Sequence, residues 1–192
     1  MKIVDQNSGL YLCDSHLIPN YGQGMKFFFQ LYRSEFGQIP LFTHIHSENA
    51  LHGNLTLIEN MMLPLSLPQH ISPENYLHDW LEQRSHYKQL VKLIGDLKRF
   101  PHQVSAQEKW LVTLVQSQII NRQVLFIEDT NKLGFDLFSE KLIKQFFYDE
   151  IIHKKFCFMI TDRPGHWLDI STHTVGFDSN VFVKSILASK VA

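Results

Sequence analysis

Two adjacent carboxylates, Glu128 and Asp129, follow the uniformly apolar run Val124-Leu125-Phe126-Ile127. Another, Asp162, closes a second such stretch, Phe156-Cys157-Phe158-Met159-Ile160. Short apolar runs of this kind read as buried parallel strands. Acidic groups at their carboxyl ends stand where open α/β sheets bind their ligands. Eleven histidines invite a metal reading, with His44-x-His46 the closest pair and His166 and His173 in another loop region. No HExxH and no Cys/His ligand spacing occurs, so no metal site is expected. A Ser-His-Asp hydrolase would want a G-x-S-x-G, which is missing. Cys13 and Cys157 form no CxxC, which argues against a disulfide scaffold and for a reducing compartment.

The elements that must carry these groups alternate in type. Gly9 to Cys13 reads as a strand, followed by the turn-rich Pro19-Asn20-Tyr21-Gly22-Gln23-Gly24. An apolar-aromatic helix is expected over Lys26 to Tyr32, a break at Gly37, and a short buried strand over Pro40 to His46. Thr56 to Met62 reads as a helix that Pro64 and Pro68 end. Residues 72 to 98 read as helices, with Ser72 as N-cap, Pro73 at the first helical position and Glu74 beside the dipole. In the helix expected over Gln107 to Ile120, Leu111, Leu114, Val115 and Ile119 form one stripe, and Ser105 with Glu108 makes a capping box. A further helix runs from Asp136 to about Ile152, with Phe138, Leu142, Phe146 and Phe147 expected inward. The Phe27-Phe28-Phe29 and Phe146-Phe147 clusters read as core. Strands alternating with helices predict an α/β fold on a mostly parallel sheet.

Composition narrows the classes. The chain has 192 residues, 44% hydrophobic and 19% charged, and its charge is 18 − 19 = −1 with histidine neutral. So apolar a chain is not disordered. So even a charge balance argues against nucleic acid, which needs a clustered basic face. The length suits one domain, here 1–192. Met1 to Gln6 has no apolar signal-peptide core, and no run is long enough to span a bilayer, so a cytoplasmic protein is expected.

Four ordered segments carry a family resemblance. Phe100-Pro101-His102-Gln103-Val104-Ser105-Ala106-Gln107-Glu108 resembles the signature segment of ABC-type ATPases, roughly YPHQLSGGE. Arg122-Gln123-Val124-Leu125-Phe126-Ile127-Glu128-Asp129-Thr130 resembles their Walker B strand. His46-Ser47-Glu48-Asn49-Ala50-Leu51, then Leu55 to Leu65, resembles the Q-loop and the LTVLENVMLPL segment after it. Phe158-Met159-Ile160-Thr161-Asp162 resembles the switch strand, LMVTH. The wording is closest to subunits that drive lipid, lipoprotein or cell-division-type transporters. The resemblance covers most of residues 40 to 165. It implies a P-loop NTPase-like sheet flanked by helices, with a small helical subdomain over 66–106.

It also implies ATP and Mg²⁺ as ligands and a phosphate loop, for which Pro19 to Lys26 is the best register. Gly22 and Gly24 are kept, while the lysine position falls on Met25 and the hydroxyl position on Lys26. His46 stands in place of the Q-loop glutamine, and Met61-Met62 lies beside the family's permease contact. Ala106 and Gln107 replace paired glycines next to Ser105 and Glu108. Glu128-Asp129 inverts the usual order, with Asp129 at the base position, and Asp162 replaces the switch histidine. Each lost phosphate-stabilising group typically costs about 10²-fold or more in rate. Residues 1 to 9 are also too few for the family's adenine-stacking region.

The expectation is thus a truncated, degenerate ATPase subunit, weakly active or inactive, that docks on an integral-membrane permease at the inner face of the membrane. It would pair with itself or with an active ABC ATPase. Two other readings stay open. One is a working ATPase that uses Lys26, Glu128 and Asp129 in altered roles, and the other is a scaffold that binds no nucleotide.

Overall fold

The computed structural model describes residues 8–17, 24–26, 28–30, 33, 41–46, 51–68, 70–129, 133–178 and 181–186. The chain forms two compact units. The first draws on Met1–His44, Arg122–Asn131 and Phe147–Ala192, and the second on Ile45–Asn121 and Lys132–Phe146.

Among the described residues six strands form one sheet: β1 Gly9–Asp14, β2 Phe42–Ile45, β3 Val124–Asp129, β4 Phe156–Thr161, β5 His173–Asp178 and β6 Val181–Ile186. Their order across the sheet is β2-β3-β4-β1-β5-β6. β4 runs parallel to both β3 and β1, and β1 runs parallel to β5. β6 returns antiparallel to β5 as an edge hairpin. With helices between the strands, this is the expected α/β class with a mostly parallel sheet.

Alternation along the strands sorts side chains between the two faces of the sheet. On one face Tyr11, Phe126, Phe156 and Phe158 join Phe28 in a buried aromatic cluster, with Met25, Phe29 and Phe42 packed against it. Tyr11 lies against the Phe156 ring at 4.6 Å and stacks on the His173 ring at 4.4 Å. Leu10, Leu12, Leu125, Ile127, Cys157 and Met159 occupy the alternate positions and are buried as well. Both faces being covered explains why β1, β3 and β4 read as continuous apolar runs. Gly9 is fixed by its neighbour: a Cβ there would lie 2.3 Å from Thr172 Oγ1, whose hydroxyl donates to the Leu10 carbonyl.

The second unit is mainly helical: α1 Leu57–Met62, α2 Pro73–Glu82, α3 Ser85–Ile94 and α4 Ala106–Ile119, followed by the start of α5 Leu137–Glu150. Capping boxes at Thr56/Glu59 and Ser105/Glu108 start α1 and α4, and Ser72 with Pro73 starts α2. α1 and α3 pack on α4. Asn60 is buried in α1 and staples the preceding loop, accepting from His52 N–H and donating to the carbonyls of His52, Leu55 and Thr56. Met61 and Met62 are both buried, so this pair is core. The unit contains residues 66–106 and extends well beyond them.

One inward expectation fails. Phe138 is 68% exposed and Leu137 is 84% exposed, while Ile143, Phe146 and Phe147 are buried. Asp136 caps the helix by accepting from the Phe138 and Ser139 N–H groups, which leaves Leu137 and Phe138 in its first turn, off the buried stripe.

Candidate functional site

Strand order locates the site before any side chain does. After β1 the chain runs to β2, three strands to one side, whereas after β4 it passes over β1 to β5 on the other. Connections that leave neighbouring strands in opposite directions define a switch point, and ligands of open α/β sheets bind at the carboxyl ends there. At those ends Asp14 pairs in register with Thr161, and Thr161 with Asp129. Three polar residues from adjacent strands therefore share one row on one face.

The tandem carboxylates part company at the end of β3. Successive residues of a strand point to opposite faces, so Glu128 lies on the face of Phe126 and Asp129 on the other. On the Phe126 face, His44 Nε2 hydrogen-bonds Glu128 Oε1 at 2.7 Å, with both side chains about one-fifth exposed. The His44 ring also lies 5.0 Å from Phe126.

Asp129 is 1% exposed and meets three donors. Arg163 Nη2 donates to Oδ1 at 3.2 Å. Trp167 Nε1 and Thr161 Oγ1 donate to Oδ2 at 2.6 Å and 3.1 Å. These donors offset the desolvation that a buried carboxylate suffers. Sequence dictates the corner that supplies them. Pro164 takes the first position of the short helix α6 Pro164–Trp167, where its missing N–H is not needed. That start leaves Arg163 as the N-cap, and the Arg163 N–H donates to Thr161 Oγ1 at 3.0 Å. Trp167, at the end of α6, packs on Phe147 with ring centroids 5.3 Å apart.

The other expected site residues fall as follows. Asp162 follows β4, its Oδ1 4.0 Å from Arg163 Nε. Gly22 lies outside the described residues. Gly24, Met25 and Lys26 are helical. Gly24 is buried, Met25 is half-buried against the aromatic cluster and Lys26 is exposed. His46, Ser105, Gln107 and Glu108 belong to the second unit. His46 follows β2 and is half-buried. Ser105 and Glu108 serve each other: Ser105 N–H and Oγ donate to Glu108 Oε2 at 2.8 Å, and Glu108 N–H donates back to Ser105 Oγ at 3.3 Å. Arg99 Nη2 also donates to Glu108 Oε1 and, at 2.7 Å, to the Ile94 carbonyl. Burial raises the Glu108 pKa, but the Ser105 and Arg99 hydrogen bonds outweigh it and hold the carboxyl below its usual range. Gln107 lies near Gly134, where a Cβ would come 3.7 Å from its Nε2.

Among the described residues no three His, Cys, Asp or Glu side chains are placed to hold a metal ion. No helix among them is long and apolar enough to cross a membrane. Sequence reading missed Arg163 and Trp167 as partners of Asp129, and Asp14 as the third member of the row. The signal for the first two was present: an Arg-Pro step straight after a strand marks a helix start, and Trp167 closes its first turn.

No protein-family model matches this chain. No curated protein matches it either. Among solved structures, it resembles one described as "an inward-facing conformation of a putative metal-chelate type ABC transporter", with a TM-score of 0.59 at 11% identity. The match covers 94% of this chain and 73% of that one. An ABC-transporter-like fold is what this likeness establishes.

Proposed function

We propose that the chain is a degenerate ABC-type nucleotide-binding subunit. In this reading it sits at the cytoplasmic face of a membrane, docks on an integral-membrane permease of lipid or lipoprotein type, and couples or regulates transport with little or no ATP turnover of its own. One observation carries the proposal: Asp129, at the position of the family's general base, has both oxygens engaged by Arg163, Trp167 and Thr161. A base must be within reach of the proton it takes and open to it.

The described residues fit a Mg²⁺-triphosphate poorly. The position that would carry the phosphate-neutralising cation is Met25, half-buried on the aromatic cluster, and Lys26 beside it is exposed. Glu128 is held by His44. Asp162 brings a negative charge to the end of β4, where the family has a histidine. The strand order and the fold of the transporter neighbour support the ABC-type frame.

The test is nucleotide binding and hydrolysis by the purified chain, with and without Mg²⁺, beside a pull-down from solubilised membranes. Weak binding, no turnover and a co-purifying multi-span permease are expected. Robust Mg²⁺-dependent hydrolysis that Asp129→Ala abolishes would defeat the proposal.

A further inference from the structure

We propose that Arg163 is a built-in counter-ion that takes the place of a bound divalent cation at the switch point, so that the chain itself closes the carboxyl ends of β3 and β4. The inference rests on the reading above, in which the end of β3 corresponds to the family's catalytic carboxylates.

The geometry is that of a buried carboxylate whose counter-charge is tethered to the same chain. The guanidinium pairs with the acid that ends β3: Nη2 lies 3.2 Å from Asp129 Oδ1, whereas Nε lies 4.0 Å from Asp162 Oδ1, too far for a hydrogen bond. Arginine suits the task because its planar fork presents several donors in fixed directions and never loses its charge. The remaining acceptor capacity of Asp129 is taken by neutral donors, Trp167 Nε1 and Thr161 Oγ1. Its burial to 1% leaves little room for water to complete an incoming ion's shell.

The corner holds the arginine in place. Its N–H is bonded to Thr161 Oγ1, Pro164 fixes the next residue at the start of α6, and Trp167 is seated on Phe147. An external ion would have to displace a charge attached to the same chain, present at a high effective concentration. The Asp129 carboxylate is therefore neutralised from within the chain.

Thermal melts of the whole chain in EDTA and in millimolar MgCl₂ test this without any nucleotide, so the result is separate from whether the wild type hydrolyses ATP. The wild type is expected to melt at the same temperature in both. Arg163→Met should melt ~5 °C or more below it in EDTA, and Mg²⁺ should recover part of that loss. Arg163→Lys, which keeps the charge and loses the fork, should fall between the two. Should Arg163→Met fail to fold, the double variant Arg163→Met/Asp129→Asn decides, because removing both charges leaves none unpaired and should restore folding. The inference is overturned if Arg163→Met melts with the wild type, if the double variant is no better than an unfolded single variant, or if Mg²⁺ stabilises the wild type through Asp129.

Discussion

Trp167 reaches back across 38 positions of the chain to donate its indole N–H to Asp129 Oδ2 at 2.6 Å, with both residues buried. The donor and the buried carboxylate depend on one another. Asp129→Asn keeps the shape but removes the charge that Arg163 neutralises, which should cost about 3–5 kcal/mol. Trp167→Phe removes one donor and leaves a small void, for about 1–3 kcal/mol. Because both changes act on one network, their sum should exceed the double variant's loss by about 0.5–3 kcal/mol. Urea unfolding of the four proteins measures this. Additive losses would mean that the contact contributes packing alone.

Gly9 should tolerate no side chain. An alanine Cβ would lie 2.3 Å from Thr172 Oγ1, well inside contact distance, at a position where the Gly9 N–H also bonds the Lys155 carbonyl and holds β1 in register. Gly9→Ala should cost about 1–3 kcal/mol through the forced shift. Thr172→Ala removes the clashing hydroxyl, so the double variant should be more stable than the two single losses predict. A melt showing simple additivity would place the strain elsewhere.

The Ser105–Glu108 box should behave as a structural cap. Ser105→Ala should cost about 1 kcal/mol, and Glu108→Ala should cost less once Ser105 is gone, because each accepts from the other's N–H. The sign with pH follows from the lowered Glu108 pKa. An acid whose folded pKa is depressed contributes stability that is present above its unfolded value and lost as pH falls through the folded one. Unfolding midpoints followed from neutral into acid should thus drop more for wild type than for Glu108→Gln. Parallel curves would remove Glu108 from the cap.

Much of this was legible in the sequence, and the reasons for the gaps are physical. Apolar runs located β1, β3 and β4 because both faces of a parallel sheet are buried, and cap residues located the helix starts because their chemistry is local. The divergence of Glu128 and Asp129 also follows from strand alternation. Their partners do not: His44 and Trp167 come from other elements, and sequence spacing says nothing about which element lies beside which. Phe138 lies outward because the buried stripe runs through Ser139, Ile143, Phe146 and Phe147, and a residue one position before Ser139 is rotated about 100° from it. The β5–β6 hairpin passed unread, although β-branched and aromatic residues on both sides of Asp178-Ser179-Asn180 are a hairpin signal.

Lys155 offers a pH test far from the carboxylate row, at the opposite end of the sheet. Its ammonium is 5% exposed as a residue and donates to the Arg122 carbonyl at 2.7 Å. Burial lowers its pKa to about 8, with Glu150 opposing the shift. A base whose folded pKa lies below its ordinary value of 10.5 holds its proton more weakly in the fold than in the open chain. The unfolded state therefore binds more protons between these two values, and stability rises with pH across that window. Wild type should gain stability between about pH 8 and 10.5 relative to Lys155→Met, which has no proton to release. Denaturant titrations at several pH values in this range measure the difference. Curves of equal slope would mean that the ammonium reaches water in the folded chain.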